Sequence, residues 1–233
     1  MEIDRISAVL AHELRNPLAG ILTHLACLRE MFDRDDPRLE SIDWIDREAE
    51  RMSRTLTAVL DFARGAKPAL VDLALAPFLS QLAARASAEA RSRGIAFHLD
   101  LPGEHLAARA DPVLLERILE NLLDNAFKAV ASPGGDVRLA AVKEGGSLRI
   151  TCRDNGRGVP ADRREEIFEP FFTDSASGAG LGLYLARRIA RDHGGSLWVE
   201  SVVGRGTTFV LELAPARGGA RPEKGKRHAA ACR

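Results

Sequence analysis

A histidine lies on a predicted helix in the segment AVLAHELRNPLAGI, residues 8–21, with a proline just over one turn after it. A neutral imidazole is a nucleophile near pH 7, and His12 falls on a solvent-facing flank beside the apolar positions of this helix. Glu13 can accept the other ring proton and so act as an acid/base partner. Pro17 bends the helix just after the histidine, and Asn16 shares the histidine's face. A surface histidine followed by an incidental proline explains the same segment.

Two asparagines lie one helical turn apart in ENLLDNAFKA, residues 120–129. Asn121 and Asn125 share one face of a helix that is otherwise rich in leucine, and amide oxygens are among the hard ligands that Mg²⁺ accepts. Lys128 follows on the same helix and could neutralise a phosphate group. In isolation, two polar residues on a solvated helix face are the simpler interpretation of the pair.

Glycines follow a predicted strand in DNGRGVP, residues 154–160. Gly156 and Gly158 would allow the backbone to approach a flat ligand closely. The carboxylate of Asp154 is an acceptor that suits the exocyclic amine of adenine. On its own, this pattern is a turn in most proteins.

A second glycine-rich segment, GAGLGL, leads into a predicted helix. It places four residues at the helix entrance: Gly178, Gly180, Leu181 and Gly182. Backbone amides at the start of a helix can bind a phosphate group. The spacing differs from the dinucleotide fingerprint, so the run alone is weak evidence. The preceding FEPFFTDSAS predicts either the anchor of a mobile lid or a hydrophobic loop packed on the core.

Two amphipathic helices are predicted before these motifs, over residues 5–32 and 42–63, with the turn DRDDP between them. Apolar side chains recur in steps of three and four residues, as in a heptad seam. The seam consists of Ala11, Leu14, Leu18, Ile21, Leu25, Leu28 and Phe32 in the first helix and Ile42, Ile45, Ala49, Met52, Leu56, Val59 and Ala63 in the second. A hairpin cannot bury such a seam alone, so the pattern predicts a dimeric four-helix bundle.

The pattern changes after RGAKPA, residues 64–69, which we interpret as a hinge. Beyond it the sequence predicts a helix over 75–93, a strand over 95–101, a helix over 112–131, a two-stranded hairpin around Gly145-Gly146, a helix over 181–193 and a final strand pair in SLWVES and TTFVLEL. Helices separated by paired strands predict an α/β sandwich with a mixed sheet. The expected division is a helical domain over 1–64, a linker over 65–72, an α/β domain over 73–214 and a disordered basic tail over 215–233.

Charge and composition exclude some classes of protein. The formal net charge is zero, but residues 217–233 hold six Lys/Arg and one Glu, which leaves residues 1–216 mildly acidic. An acidic body argues against a dedicated nucleic-acid-binding protein, which needs a clustered basic face. The three cysteines lie far apart and favour a reducing, cytoplasmic compartment. No apolar run approaches the roughly 20 residues that span a bilayer, so we expect no membrane segment in this chain.

The order of the motifs is more specific than any one of them. His-Glu-x-x-Asn-Pro, Asn-x-x-x-Asn-Ala-x-Lys, Asp-x-Gly-x-Gly, Phe-x-Pro-Phe and Gly-x-Gly-Leu-Gly-Leu follow one another along residues 5–214. This arrangement resembles the catalytic core of bacterial two-component sensor histidine kinases. The second half is also similar to the wider superfamily of gyrase, heat-shock chaperone and mismatch-repair ATPases. The resemblance implies an α-helical hairpin, dimeric as a four-helix bundle, followed by an α/β two-layer sandwich of the Bergerat (GHKL) type.

The resemblance also implies a role for each motif residue. His12 would accept a phosphoryl group, with Glu13 as acid/base partner and Asn16 orienting water for dephosphorylation of a regulator. The cofactors would be ATP and Mg²⁺, and the partners a second copy of the chain and the receiver domain of a response regulator. The implied nucleotide and metal site comprises Asn125 and Asn121 for Mg²⁺, Lys128 for phosphate, Asp154, Gly156 and Gly158 for adenine, Gly178, Gly180, Leu181 and Gly182 on the phosphate side, and Thr207 and Thr208 near adenine.

The residue type at position 121 distinguishes ATP hydrolysis from phosphoryl transfer within that superfamily. The ATP hydrolases have a glutamate at this position to activate water, and an amide cannot act as that base. The resemblance therefore implies slow hydrolysis and transfer of the γ-phosphoryl group to His12. Many relatives carry a basic residue between the phenylalanine motif and the glycines, and this chain has none there. A nucleotide-binding scaffold biased towards phosphatase activity and a gyrase-type dimer clamp are the alternatives.

Overall fold

The structure is a computed structural model that describes residues 17–33, 36–64, 67–101, 106–131, 133–144, 147–173 and 180–215. Two helices come first, α1 over 17–30 and α2 over Arg38–Arg64, and a short turn joins them. Helix α2 begins four residues before its expected start because Asp36 accepts a hydrogen bond from the backbone N–H of Arg38 at 2.9 Å. The hydrogen bonds from the Arg38 side chain and backbone lower the pKa of Asp36 to about 2.

The predicted heptad seam divides into two faces in the hairpin. Leu18 and Leu25 of α1 and Ile42 and Ala49 of α2 are buried and are spaced by seven residues on each helix. The intervening seam positions Ile21, Leu28, Ile45 and Met52 are exposed. Among the seam residues whose side chains the structure describes, the four buried ones therefore pack within the hairpin, and the four exposed ones form an apolar stripe on its surface.

The remaining elements build a two-layer α/β unit. Its helices are α3 Leu75–Ser92, α4 Pro112–Ala129 and α5 Gly182–Asp192, and its strands are β1 Val71–Ala74, β2 Ala96–Asp100, β3 Ala107–Ala110, β4 Asp136–Glu144, β5 Ser147–Asp154, β6 Ser196–Val202 and β7 Gly206–Leu213. Five strands form a mixed sheet in the order β2-β4-β5-β7-β6, in which only the β2–β4 pair is parallel. The expected helical hairpin followed by a mixed-sheet α/β sandwich is confirmed.

Alternation along the strands gives the sheet two different faces. The inward positions of β4 and β5 are Val137, Leu139 and Ala141 and then Leu148, Ile150, Cys152 and Asp154, all of them buried. The buried leucines of α4 pack against this face, so that helices cover one side of the sheet. The outward positions carry charged residues such as Arg138, Arg149 and Arg153.

Helix α4 is capped by Asp111, whose Oδ1 accepts hydrogen bonds from the backbone N–H groups of Val113 and Leu114. The Asp111 N–H donates to Nε2 of His193 at 3.0 Å, and Nδ1 of this buried histidine donates to the carbonyl of Ile189 at 2.8 Å. The C-terminal end of α5 is thus joined to the N-terminal end of α4.

The structure differs from the sequence prediction at the edges of the α/β unit. Strands β1 and β3 form a separate antiparallel pair that was not predicted, and β1 occupies the last residues of the expected linker 65–72. Asp111 Oδ2 also accepts a hydrogen bond from the N–H of Ala69, just before β1. At the other end, Pro215 bridges to Ala108, so the ordered unit includes the first residue of the expected tail. The rest of that tail lies outside the described residues.

Candidate nucleotide-binding site

Three polar side chains lie in one row on the inner face of the sheet. Asp154 at the end of β5 is directly opposite Thr207 of β7, which is directly opposite Ser201 of β6. All three are at least 94% buried, in a layer that is otherwise apolar. Burying a polar side chain costs free energy unless the side chain is hydrogen-bonded. A row of three buried polar side chains at the edge of the core is therefore a candidate site.

Within the described part of the chain, the backbone amides that bind the Asp154 carboxylate contact a single oxygen. Its Oδ1 accepts hydrogen bonds from the N–H groups of Gly156 at 2.8 Å and Thr207 at 3.2 Å. Burial raises the pKa of Asp154, although these two hydrogen bonds oppose the shift. With Oδ1 used in this way, Oδ2 is the oxygen that can accept a hydrogen bond from a ligand.

The loop after Asp154 packs so tightly that glycine is required twice. A Cβ on Gly156 would lie 2.4 Å from the carbonyl oxygen of Ala129, at the end of α4. Gly158 has a φ of +73°, and a Cβ there would lie 2.3 Å from the carbonyl oxygen of Val202. The two glycines let the loop lie directly against α4 and β6, beside the carboxylate.

The amides of Asn121 and Asn125 are oriented by their own helix. Nδ2 of Asn121 donates to the carbonyl of Arg117 at 2.9 Å, and Nδ2 of Asn125 donates to the carbonyl of Asn121 at 2.7 Å. Both Oδ1 atoms therefore point away from the α4 backbone. Oδ1 of Asn121 faces Gly182 at the start of α5, where an added Cβ would approach it to 2.8 Å.

The start of α5 lacks a side-chain cap at its N-cap position. Leu181, at the N-cap position, makes no side-chain capping hydrogen bond, so the first backbone amides of α5 have no cap from that residue. Gly180 has a φ of +67°, and its Cα lies so close to the backbone of Phe171 that a Cβ would be 2.4 Å from that residue's carbonyl carbon. This helix start, held beside the Asn121 amide, suits a phosphate group.

The phenylalanine motif combines anchored and exposed rings. Phe168 is buried edge-on against Phe209, and the guanidinium of Arg163 lies over the ring of Phe172. Phe171 is 70% exposed and has a φ of +67°, a conformation that costs free energy in a residue other than glycine. These contacts fit both a lid anchor and a hydrophobic loop packed on the core, and residues 174–179 of the predicted lid lie outside the described residues.

Two predicted site residues stand apart from this group. Thr208 lies opposite Arg153 and Glu200, on the outer face of the sheet, so its side chain points away from the row of Asp154 and Thr207. The expectation that Thr208 lies near an adenine pocket is corrected for this reason. Lys128 is exposed, and its ammonium group is paired with Asp124 at 2.6 Å.

Sequence reasoning missed Ser201. The signal was available, because the period of two in Leu197, Val199 and Ser201 puts the serine on the buried face of β6. His12, Glu13, Asn16 and Gly178 lie outside the described residues, and their predicted roles stay predictions.

Two asparagines on α4, one of which faces the start of α5, have the ligand chemistry that suits a magnesium ion. The Oδ1 atoms of Asn121 and Asn125 are hard oxygen donors. Within the described ranges, no three His, Cys, Asp or Glu side chains are grouped so as to hold a metal ion by themselves. None of the helices in that part of the chain combines the length and apolar character needed to cross a bilayer.

Comparison with known proteins gives two family matches. The family described as His Kinase A (phospho-acceptor) domain matches residues 2–67. The family described as histidine kinase-, DNA gyrase B- and HSP90-like ATPase matches residues 110–217. The two matches together cover the helical hairpin and most of the α/β unit.

Similar proteins are sensor kinases. Sensor histidine kinase ZraS of Escherichia coli (strain K12) is 31% identical over 91% of this chain and 45% of its own length. Alginate biosynthesis sensor protein KinB of Pseudomonas aeruginosa is 33% identical over 87% of this chain and 35% of its own length. The chain thus spans less than half of the length of these two relatives.

Two solved structures cover almost the whole chain. Full-length ShkA in complex with AMPPNP has a TM-score of 0.79 at 29% identity, over 94% of this chain and 47% of that one. Histidine kinase ThkA in complex with response regulator protein TrrA has a TM-score of 0.67 at 25% identity, over 93% of this chain and 63% of that one. With its phosphoacceptor-type hairpin, its mixed-sheet ATPase-type unit and these relatives, the chain belongs to the two-component sensor histidine kinases and comprises their catalytic core.

Proposed function

We propose that this chain catalyses ATP-dependent phosphorylation of His12 and then transfers the phosphoryl group to an aspartate of a response regulator. The observation that carries the proposal is that α4 contacts both other parts of the candidate site: the loop after Asp154 packs on Ala129, and the start of α5 packs on Asn121. An acceptor for a base, oxygen ligands for a cation and helix N-terminal amides for phosphates are the three groups that ATP requires.

The α/β unit binds the nucleotide in this proposal. Asp154 Oδ2 accepts a hydrogen bond from the exocyclic amine of adenine, and Gly156 and Gly158 leave room for the flat base. Thr207 contributes its hydroxyl group from the neighbouring strand. The amides of Leu181 and Gly182, with the hinge residues Gly178 and Gly180, receive the phosphates at the start of α5.

Asn125 and Asn121 would hold Mg²⁺ through their Oδ1 atoms. When bound, the ion would supply charge neutralisation at the phosphate oxygens, a principal requirement of phosphoryl transfer. Lys128 lies one turn beyond Asn125, and it serves as the phosphate cation by exchanging Asp124 for a phosphate oxygen.

The helical hairpin provides the acceptor. The imidazole of His12 attacks the γ-phosphorus, and the bond from that phosphorus to the bridging oxygen of ADP breaks. Glu13 takes the ring proton from the other nitrogen, which keeps the attacking nitrogen nucleophilic. Asn16 orients water when the chain acts as a phosphatase towards its regulator.

The amide of Asn121 favours transfer over hydrolysis. It is fixed to the carbonyl of Arg117 and has no basic group to remove a proton from water. ATP bound beside it should therefore persist until a histidine approaches in line with the γ-phosphate.

The exposed apolar stripe of the hairpin supports a homodimer. Ile21, Leu28, Ile45 and Met52 are 46%, 41%, 44% and 62% exposed and lie at heptad spacing. A stripe with this period is complementary to a second copy of itself, since a two-fold axis brings identical faces together. The dimer then contains a four-helix bundle.

The division of the chain follows from these roles. We assign residues 1–64 to the dimerisation and phosphoacceptor domain and 73–214 to the ATP-binding domain. The expected linker 65–72 is shortened to 65–70 because β1 begins at Val71, and the expected tail 215–233 begins after Pro215, which bridges to Ala108. The solved complex of ThkA with response regulator protein TrrA supports a receiver domain as the partner. We place this core in the cytoplasm, where ATP and response regulators are found.

Incubation with γ-labelled ATP and Mg²⁺ tests the proposal. The chain should acquire a label that is labile in acid and stable in alkali, as expected for phosphohistidine, and should pass it to an added receiver domain. His12→Gln should remain unlabelled while still binding ATP. Label retained by His12→Gln would refute the assignment of the acceptor.

A further inference from the structure

Ser201 on β6 contacts both the loop after Asp154 and the start of β7, and no step of the proposed reaction uses it. Its Oγ lies 2.8 Å from the backbone nitrogen of Val159, 2.8 Å from the carbonyl oxygen of Gly206 and 3.1 Å from Oγ1 of Thr207. Its own carbonyl oxygen accepts a hydrogen bond from the guanidinium of Arg164. The side chain is buried, so these contacts determine the direction of every proton around it.

The direction of each hydrogen bond follows from counting donors and acceptors. A serine hydroxyl has one proton and two lone pairs. The Val159 N–H can only donate, so it uses one lone pair, and the Gly206 carbonyl can only accept, so it takes the serine proton. The second lone pair of Ser201 is left for Thr207, which must therefore donate its hydroxyl proton to Ser201.

Thr207 is thereby left with acceptor capacity only. Its one hydroxyl proton is directed towards Ser201, so towards a ligand the Thr207 oxygen can act only as an acceptor, through its lone pairs. The directly opposite residue, Asp154, has Oδ1 occupied by two backbone amides, so its Oδ2 is also an acceptor. Side chains of directly opposed residues in an antiparallel pair lie about 5 Å apart, so one ligand group can contact both.

We infer that Ser201 is a positioning residue that fixes the Thr207 hydroxyl as a hydrogen-bond acceptor. The site is therefore selective for a base that presents an exocyclic amine to Asp154 and Thr207 over a base that presents a carbonyl at the same position. The inference rests on the proposed function, in which this site binds ATP. The 6-amino group of adenine supplies two N–H donors to the two acceptors. The 6-oxo group of guanine presents an acceptor to them, and the mismatch leaves buried groups without a partner.

Calorimetric titration of the intact chain with ATP and with GTP, each with Mg²⁺, tests the inference. Ser201→Ala frees the Thr207 proton to rotate towards the ligand. The ratio of ATP affinity to GTP affinity should fall by roughly fivefold to tenfold, the effect of one neutral hydrogen bond. The ratio is unaffected by partial unfolding, because both affinities are measured on the folded fraction.

Three further variants separate positioning from a general structural role. Thr207→Val should also lower the ratio, and adding Ser201→Ala to it should change the ratio no further, since Ser201 acts through the threonine hydroxyl. Ser196→Ala is the matched control, because Ser196 is an exposed serine on the same strand. In autophosphorylation, Ser201→Ala should raise KM for ATP and leave kcat unchanged.

The outcomes that contradict the inference are distinct from those that contradict the proposed function. Equal weakening of ATP and GTP binding by Ser201→Ala, or an unchanged ratio, overturns the role of Ser201 while the kinase assignment stands. Additive effects of Ser201→Ala and Thr207→Val overturn the route through the threonine. A wild-type chain that binds neither nucleotide removes the proposed function and this inference together.

Discussion

Asp154 is a charged group in a place that disfavours charge. Burial raises its pKa, and the N–H groups of Gly156 and Thr207 offset only part of this cost. Because the folded pKa lies above the unfolded one, the unfolded state releases its proton first as the pH rises. The ionised carboxylate therefore lowers the stability of the ligand-free protein at neutral pH, and the cost is absent at pH values below both pKa values.

Asp154→Asn should separate stability from binding. The asparagine can keep the two amide hydrogen bonds through Oδ1, so the thermal midpoint at pH 7 should be unchanged or higher. Its Nδ2 would face the adenine amine, donor against donor, and ATP affinity should fall by about 10- to 100-fold. Thermal unfolding and calorimetric binding of the same preparation measure both. A large loss of stability with intact ATP binding would contradict this account of Asp154.

Single residues were predictable only through the order of the motifs. Asp154 and the two glycines after it became candidates in this way, because a carboxylate followed by glycines is on its own a turn in most proteins. Thr207 and Thr208 could not be told apart in this way, since two adjacent threonines of the same polarity give no sign of which faces inward. The register with Asp154 and Arg153 settles that question.

At the scale of elements, the N-terminus of α4 connects the linker to the α/β unit. Burial acts to raise the pKa of Asp111, but hydrogen bonds from the N–H groups of Ala69, Leu114 and Val113 outweigh it and lower the pKa. A lowered folded pKa means that this carboxylate stabilises the fold above its unfolded pKa, near 4. That contribution is lost as the pH falls through the folded value.

Asp111→Asn should cost about 1 kcal/mol at neutral pH. Asparagine still caps α4 through Oδ1, but its Nδ2 cannot accept from Ala69, so the variant isolates the contact with the linker. The difference in unfolding free energy between wild type and variant should shrink as the pH is lowered below about 4. Denaturant titrations from pH 3 to 7 measure it, and a difference that is independent of pH would contradict the assigned charge state.

The start of α5 depends on a glycine for its contact with α4. In Gly182→Ala the new Cβ displaces the Asn121 amide, since it would lie 2.8 Å from Oδ1. We expect ATP affinity in Mg²⁺ to fall several-fold, with little loss of stability because alanine favours a helix. Gly20→Ala in α1 is the control, because nothing lies within 4 Å of its added Cβ. Equal ATP affinity in both variants would contradict the proposed role of this helix start.

The helices and long strands followed from periodicity, and the short strands did not. Strands β1 and β3 have only four residues each, and three of the four residues of β3 are alanine, which has low strand propensity. Their pairing depends on tertiary contacts that bring Val71 to Ala110, and no local pattern encodes this. The start of α2 was missed for a smaller reason, the cap provided by Asp36.

In the whole molecule, the helical hairpin carries apolar seam residues that are only partly buried. Of the seam side chains that the structure describes, four are buried and four are exposed, and the sequence pattern alone could not state this division. The exposed four are the basis for the proposed dimer.

Ile45→Lys should weaken the dimer by about 10- to 100-fold, because it removes a large apolar group from the proposed interface and adds a charge. Trp44→Lys is the matched control: Trp44 is the neighbouring exposed apolar residue, 61% exposed, but it lies outside the seam. Sedimentation equilibrium at micromolar concentration compares the two. Equal association of both variants and wild type would place any dimer contact elsewhere.

We expect the γ-phosphoryl group of ATP to pass to His12 and not to water. The most direct measurement is a time course that follows protein-bound and inorganic phosphate in the same reaction. We predict about one acid-labile phosphoryl group per active subunit and little free phosphate, with both signals reduced to background in His12→Gln. Continuous phosphate release that persists unchanged in His12→Gln would contradict the account and identify the chain as an ATP hydrolase.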